Sequence, residues 1–362
     1  VLAALLAMAT SAALAAEIAL VTDVGTIDDE SFNQACWEGV KAYAEANGKT
    51  YQYYQPGADS TDERLNSIDL AVSEGAKVVV CPGYLFGETV AQAQELYPDV
   101  DFIAVDVSAG DLGGVDAQQN LYCAVFGEEQ AGYLAGYAVV KDGYTKLGFL
   151  GGMAVPAVQR YGYGFLQGVD AAAAELKAKV NVKYAYGNQF NGDPDITAAM
   201  DTWYAGGTQI VFACGGGIYT SAVDAAKKAN GKVIGVDVDQ AGVIANYAGV
   251  DGLTVTSAMK GLYPATYDTL NDVIINGNWA NYVGQIATLG LVSADDPEAN
   301  YVQIPMGEGT QWSDSFTQDD YKAMVADMYS GKITVSNNTS SDVSAADFAT
   351  VITVDDQGAI KG

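Results

Sequence analysis

Thr22-Asp23-Val24-Gly25-Thr26-Ile27-Asp28-Asp29-Glu30-Ser31-Phe32-Asn33-Gln34 is the stretch whose reading decides the fold. Ile18 to Val21 before it is a short apolar run that reads as a buried strand. Ala35 to Asn47 after it carries apolar residues at helical spacing and stops at Gly48, a helix-ending signal. The stretch is therefore a loop joining the carboxyl end of a first strand to a first helix, the place where open α/β sheets bind ligands. Thr26 or Asp28 can cap the helix, and Asp28, Asp29 and Glu30 crowd its first turn. A phosphate at that helix end would meet three negative charges, which favours a neutral or polyhydroxylated ligand. Phe32 can stack and Asn33 can hydrogen-bond there. The spacing of Phe32, Cys36, Val40 and Tyr43 equally suits one core stripe.

The same pattern recurs about 130 residues later. Ile18-Ala19-Leu20 matches Leu147-Gly148-Phe149, and Trp37-Glu38-Gly39-Val40 matches Leu166-Gln167-Gly168-Val169. Val79 to Gly83 matches Phe212 to Gly216, and Ile103 to Val107 matches Ile234 to Val238. A chain of 362 residues exceeds one compact core, so the repeat predicts two homologous α/β lobes of right-handed βα units on parallel sheets. Their facing carboxyl ends make a cleft. The expected division is a signal-peptide remnant at 1–16, a first lobe of 17–125 plus about 254–282, and a second lobe of 126–253 plus about 283–335. Residues 336–362 form an extension with a last strand near Thr350 to Val354. Leu253 to Ser257 reads as a strand, with Ala258-Met259-Lys260 opening a helix that runs to about Ile275.

Composition narrows the chemistry. A net charge of −28 excludes nucleic acid and anionic membrane surfaces as partners. There is no histidine, which removes the commonest general base and zinc ligand. Cys36, Cys81, Cys123 and Cys214 follow no metal spacing and read as packed free thiols. No cofactor or metal is expected. Val1 to Ala16 is apolar and small-residue-rich, like the end of a secretory signal peptide, so an exported protein is expected.

Asp106 and Asp237 end hydrophobic strands at corresponding places in the two halves, where a carboxylate can accept hydroxyl hydrogen bonds or cap a turn. Asp239 shares the side of Asp237 if that strand persists. Lys260, one of 17 basic residues, could pair with Asp237 at the cleft or lie on the surface. Gly215-Gly216-Gly217 allows close backbone approach without the pattern of a phosphate loop. Gly187 to Pro194 is a loop that carries Phe190 either across the cleft or into a plug beneath the loop.

Taken in order, Thr22-Asp23-Val24-Gly25, Asp28-Asp29, Ser31-Phe32-Asn33-Gln34, Tyr133-Leu134-Ala135-Gly136, Gly148 to Gly152, Gly235 to Gln240 and Ser257 to Lys260 resemble the basic membrane protein family. These are substrate-binding proteins of ABC importers, including purine-nucleoside receptors. The resemblance runs from about Ile18 to Val335. It implies a type I periplasmic-binding-protein fold with two Rossmann-like lobes, a hinge of several crossovers, and a nucleoside held between the lobes of a monomer that docks on an ABC permease. Carried over, Phe32 and Phe190 would stack on the base, Asn33 and Asp106 would read it, and Asp237 and Lys260 would take the ribose hydroxyls. Asp23 and Gly216 would line the wall. Two departures stand out: Ala15-Ala16-Glu17 offers no cysteine for a lipid anchor, and Tyr161 and Tyr163 stand where relatives are expected to carry Phe.

Two other functions compete: a sensor for a sugar or other small polar solute, and an enzyme. The Asp23…Asp28-Asp29 pattern is similar to the calcium-holding aspartates of nucleoside hydrolases. Against that, Val21 stands at the leading aspartate position, the spacing is one residue longer, and no histidine can protonate a leaving base.

Overall fold

The computed structural model describes residues 16–361; the expected signal-peptide segment lies, but for Ala16, outside them. The first half alternates β1 (Ile18–Val21), α1 (Phe32–Asn47), β2 (Tyr51–Tyr54), α2 (Thr61–Ser73), β3 (Val78–Pro82), α3 (Gly87–Leu96), β4 (Asp101–Val105) and β5 (Leu121–Phe126). The second runs α4 (Glu128–Lys141), β6 (Lys146–Gly151), α5 (Pro156–Leu176), β7 (Asn181–Tyr186), α6 (Pro194–Ala205), β8 (Ile210–Cys214), α7 (Tyr219–Ala229), β9 (Lys232–Asp237), α8 (Ala241–Ala248) and β10 (Thr254–Lys260). After them come α9 (Leu262–Leu270), β11 (Ile286–Leu289), β12 (Val302–Gln303), α10 (Gln318–Tyr329) and β13 (Thr353–Ala359).

Two sheets result, ordered β11-β5-β4-β3-β1-β2 and β12-β10-β9-β8-β6-β7-β13. The first is parallel throughout, and in the second only β12 runs antiparallel. The shared order β5-β4-β3-β1-β2 and β10-β9-β8-β6-β7 is the internal repeat expressed as topology. Strands such as Val78-Val79-Val80-Cys81 and Ile210 to Cys214 are buried along their whole length, as expected for sheets covered on both faces. Chain order reverses about β1 in one sheet and β6 in the other, so the loops leaving those strands open at the switch points.

Sheet membership corrects the expected division at two places. β10 pairs with β9, so 254–260 belongs with the second sheet and the chain crosses back only after Lys260. β11 pairs with β5, so 286–289 belongs with the first sheet, and the last crossover follows Leu289. The expected helix start at Ala258 is likewise strand: Met259 lies opposite Asp237 in the sheet, and pairing overrides the helical preference of Ala, Met and Lys. The helix begins at Leu262 and packs on α1. The last strand spans 353–359 rather than 350–354. β2, an edge strand, had not been singled out in the sequence.

All four cysteines are free and buried. Among the described residues, no helix is long and apolar enough to cross a membrane.

Candidate functional site

The carboxyl ends of both sheets face one cavity of about 440 Å³. Asp23, Phe32, Asn33, Asp106, Phe190, Gly216, Asp237 and Lys260 all line it. The volume lies in the range of small-molecule pockets.

The loop after β1 is built differently from its sequence reading. Neither Thr26 nor Asp28 caps α1. Asp29 does so, accepting from the N–H groups of Ser31 (3.0 Å), Asn33 (2.9 Å) and Gln34 (3.1 Å). Ser31 precedes the helix, yet its hydroxyl crosses the cleft and donates to Asp237 Oδ2 at 2.7 Å. Gln240 Nε2 makes a second crossing, donating to the Glu30 carbonyl at 3.2 Å. These bonds hold the lobes together over the cavity.

Asn33 is buried, and its side chain is committed. Its Nδ2 donates to Asp23 Oδ1 at 2.9 Å and to Asp29 Oδ2 at 3.0 Å, while its Oδ1 accepts from the Asp23 N–H at 3.3 Å. Both amide hydrogens are spent fixing the two aspartates, which makes it a positioning residue in this geometry. The Gly25 N–H also bonds Asp23 Oδ1, at 2.7 Å. Asp23 Oδ2 is left for a ligand. Burial pushes the Asp23 carboxyl up to about 6 against the opposing bonds from Gly25 and Asn33.

Asp106 and Asp237 end β4 and β9 in matching left-handed conformations, with φ of 61° and 66°. Aspartate tolerates that region better than most residues. Strain repeated at both strand ends sits where a site would store it. Lys260, at the end of β10, places its ammonium 2.5 Å from Asp106 Oδ2, 3.3 Å from Glu128 Oε1 and 3.8 Å from Asp237 Oδ1. It therefore pairs most closely with Asp106 and also, at longer range, with Asp237 as the sequence suggested, and it is buried rather than on the surface. Arg160 Nε lies 2.6 Å from Glu128 Oε2. Burial opposes the Lys260 charge, but the fields of Asp106, Glu128 and Asp237 outweigh it and hold the ammonium protonated. Burial would likewise raise Glu128; Arg160 and Lys260 outweigh it and hold that carboxylate ionised. Asp106 and Asp237 are both raised by burial, with Lys260 opposing. Asp106 lines the cavity, and its Oδ1 is a buried acceptor without a hydrogen-bond partner.

The aromatics come from opposite lobes. Cys36, Val40 and Tyr43 form the buried stripe of α1, while Phe32 at its head is only half buried and reaches the cavity. The Lys260 ammonium lies 4.8 Å from the Phe32 ring centre. Phe190 rests on glycines: a Cβ on Gly152 would stand 2.5 Å from its ring, and one on Gly215 3.0 Å. Gly216 has φ of +49°, and a Cβ there would approach the Phe190 carbonyl at 3.1 Å. The glycine run thus seats the Phe190 loop rather than any phosphate.

Three polar partners were missed in the sequence: Ser31 as an interlobe donor, Glu128 and Arg160. Glu128 lies two residues past the end of β5, as the first residue of α4, so a search for acids near strand ends could have found it. Tyr161 lines the cavity, with its hydroxyl 3.5 Å from Asp237 Oδ1. Tyr163 packs on Phe348 instead. Asp239 is exposed and caps the turn into α8 through the Ala241 N–H, away from Asp237. Among the described residues no acidic or cysteine group is arranged to hold a metal.

Comparison with known proteins accounts for this arrangement. A family model described as ABC transporter substrate-binding protein PnrA-like, named Bmp, matches residues 16–303, a shorter span than the motifs suggested. The ABC transporter nucleoside-binding protein BmpA of Lactococcus lactis subsp. cremoris is 30% identical over 247 residues, covering 65% of this chain and 67% of the relative. Basic membrane protein B of Borreliella afzelii is 27% identical over 284 residues, covering 76% and 78%. Among solved structures, an ABC transporter system solute-binding protein from Aeropyrum pernix K1 superposes with a TM-score of 0.71 at 20% identity, over 90% of this chain and 94% of that one. Another from Conexibacter woesei DSM 14684 gives 0.66 at 21% identity, over 88% and 98%. The chain belongs to the Bmp family of PnrA-like ABC transporter substrate-binding proteins: a type I periplasmic-binding-protein fold that binds a small molecule for transport and is not an enzyme.

Proposed function

We propose that this protein binds a purine nucleoside between its lobes, outside the cytoplasm, and delivers it as a monomer to an ABC permease. The observation that carries the reading is the pairing, in one cavity, of an aromatic from each lobe with a buried acceptor cluster. Phe32 and Phe190, one from each lobe, line the cavity and would stack on a flat base. Asp237 and Lys260 offer an acceptor and a donor to ribose hydroxyls. Asp23 Oδ2 and Asp106 Oδ1 are the acceptors left for base N–H groups. Asn33 serves by holding Asp23 in place. The acids at the head of α1 disfavour a phosphate, which sets nucleosides apart from nucleotides. The name of the Lactococcus relative, a nucleoside-binding protein, supports the same class.

Closure would follow from ligand bridging both lobes, since Asp237 and Phe190 belong to one and Phe32 and Asp106 to the other. The test is uptake of labelled adenosine and guanosine by cells with and without the gene. Loss of uptake, restored by the intact gene but not by Asp237→Ala, is expected. Unchanged uptake in the deletion strain would sink the delivery role.

A further inference from the structure

The family match ends at residue 303, yet the chain beyond it returns to the second sheet at its cavity end. Residues 336–361 run along the second lobe and are anchored twice before they reach it. Ser336 exchanges backbone bonds with the Gln167 side chain (2.8 and 2.9 Å). Asp170, nine-tenths buried on α5, then gathers Thr350, Val351 and Ile352: its Oδ1 accepts their three N–H groups at 2.8, 2.8 and 3.2 Å, and its Oδ2 accepts the Thr350 hydroxyl at 2.5 Å. From there β13 pairs in parallel with β7, from Thr353 opposite Asn181 to Ala359 opposite Tyr186, with a register shift between Asp356 and Ala359. The Ile360 N–H closes the ladder on the Tyr186 carbonyl at 2.8 Å.

Parallel pairing carries the strap to the carboxyl end of β7, which is the cavity end of the sheet. The next residue, Lys361, pairs with the Asp193 carboxylate and lies 3.3 Å from Gln189 Oε1. Those two residues flank Phe190. Asp193 is already the hub of the loop. Its Oδ1 caps α6 through the Asp195 and Ile196 N–H groups at 2.9 Å each, and its Oδ2 accepts from Gln189 Nε2 at 3.0 Å. Lys361 thus ties both ends of the Phe190 segment to the strap.

We infer that Lys361, delivered by β13, is a positioning residue that sets how firmly Phe190 is held against the ligand. The inference rests on the nucleoside reading of the cavity. An aromatic on a seven-residue loop stacks well only if its loop does not have to be ordered on binding. Lys361 supplies that order in advance from a segment that makes no contact with the cavity itself. Losing it should leave the fold intact and show chiefly as faster ligand release.

The test compares Lys361→Ala, Lys361→Arg and a deletion of residues 353–362 with the parent protein. Each is titrated with adenosine and guanosine, followed for ligand release by stopped flow, and melted without ligand. Lys361→Ala is expected to release the nucleoside about two- to fivefold faster, the size of a partly exposed ion pair, with the ligand-free melting temperature unchanged. Lys361→Arg, which can still pair with Asp193, should restore the parent rate. The deletion should bind at least as weakly as Lys361→Ala. Should the deletion fail to fold, the point variants decide alone. A Lys361→Ala protein that holds nucleoside as tightly and as long as the parent overturns the inference, as does one that loses melting temperature without changing release. A parent protein that binds no nucleoside fails the functional reading instead, and the two failures are distinct.

Discussion

Asp237→Asn separates binding from folding because the two should move in opposite directions. Asp237 is 5% exposed and sits at φ of 66°, a conformation that asparagine also tolerates. The amide can still accept from Ser31 Oγ, now 2.7 Å away, so the interlobe contact survives. What changes is charge. Asp106, Glu128 and Asp237 share Lys260 and Arg160, three carboxylates on two cations. Burial already raises the Asp237 carboxyl, so its ionised form is held at a cost. Removing that charge leaves two acids on two bases, and ligand-free stability should stay level or rise by up to about 1 kcal/mol. Binding should suffer. A hydrogen bond to a charged acceptor is worth about 1.5–3 kcal/mol, and every 1.4 kcal/mol is tenfold in affinity, so the dissociation constant should rise roughly 10- to 150-fold. Titration calorimetry with adenosine and guanosine reads the first quantity, and urea unfolding without ligand reads the second. An unchanged affinity would refute the ribose role. A loss of affinity that tracks a comparable loss of stability would show Asp237 to be scaffold.

The remaining predictions concern the groups around it. Lys260→Met leaves three buried carboxylates without their shared ammonium. It should cost about 3–5 kcal/mol of stability, partly recovered as the pH falls and the acids take up protons; a loss that does not shrink on acidification contradicts the cluster as described. Phe190→Ala should weaken nucleoside binding by about 1–2 kcal/mol and cost less in ligand-free unfolding, because the ring is only partly buried on its loop. Phe32→Ala should do the same, and unfolding instead would return Phe32 to the core stripe. Asp23 gives a pH signature. Its carboxyl titrates near 6 in the folded protein against 3.8 ordinarily, so the folded state holds the proton more tightly than the unfolded chain. This group's contribution to stability is therefore greatest below about 4 and is lost as the pH rises through about 6. Ligand N–H donation to Oδ2 favours the ionised form, so affinity should climb over the same interval and level off above it. Asp23→Asn should flatten both curves.

Much of the architecture was legible because the signals were local. Apolar runs that end in Asp106 and Asp237, and the glycine-rich turns after them, report strand ends directly, and their repetition reports two lobes. The eight residues chosen for the cleft converge on one cavity because strand order in parallel sheets fixes which loops meet. What failed was non-local. Thr254 to Lys260 carries β-branched and helix-favouring residues in sequence, and pairing with β9 and β12 decides that all seven are strand. Ile286 to Leu289 could have joined either sheet. Ser31 carries no local sign of its role, because its hydroxyl is drawn across the cleft by a carboxylate 206 positions away. Asn33 has the look of a ligand reader until its hydrogen bonds are counted. Arg160 carries no local signal, because it gains its meaning only from Glu128, whose own signal is its place just past a strand end.

The central claim is a purine nucleoside held between the lobes. The most direct measurement is calorimetric titration of protein freed of ligand by unfolding and refolding, against adenosine, guanosine, inosine, cytidine, uridine and ribose. Tight one-to-one binding of the purine nucleosides, weaker binding of the pyrimidines and none of ribose alone is the predicted result. Silence toward every nucleoside, or ribose binding as tightly as adenosine, would contradict it.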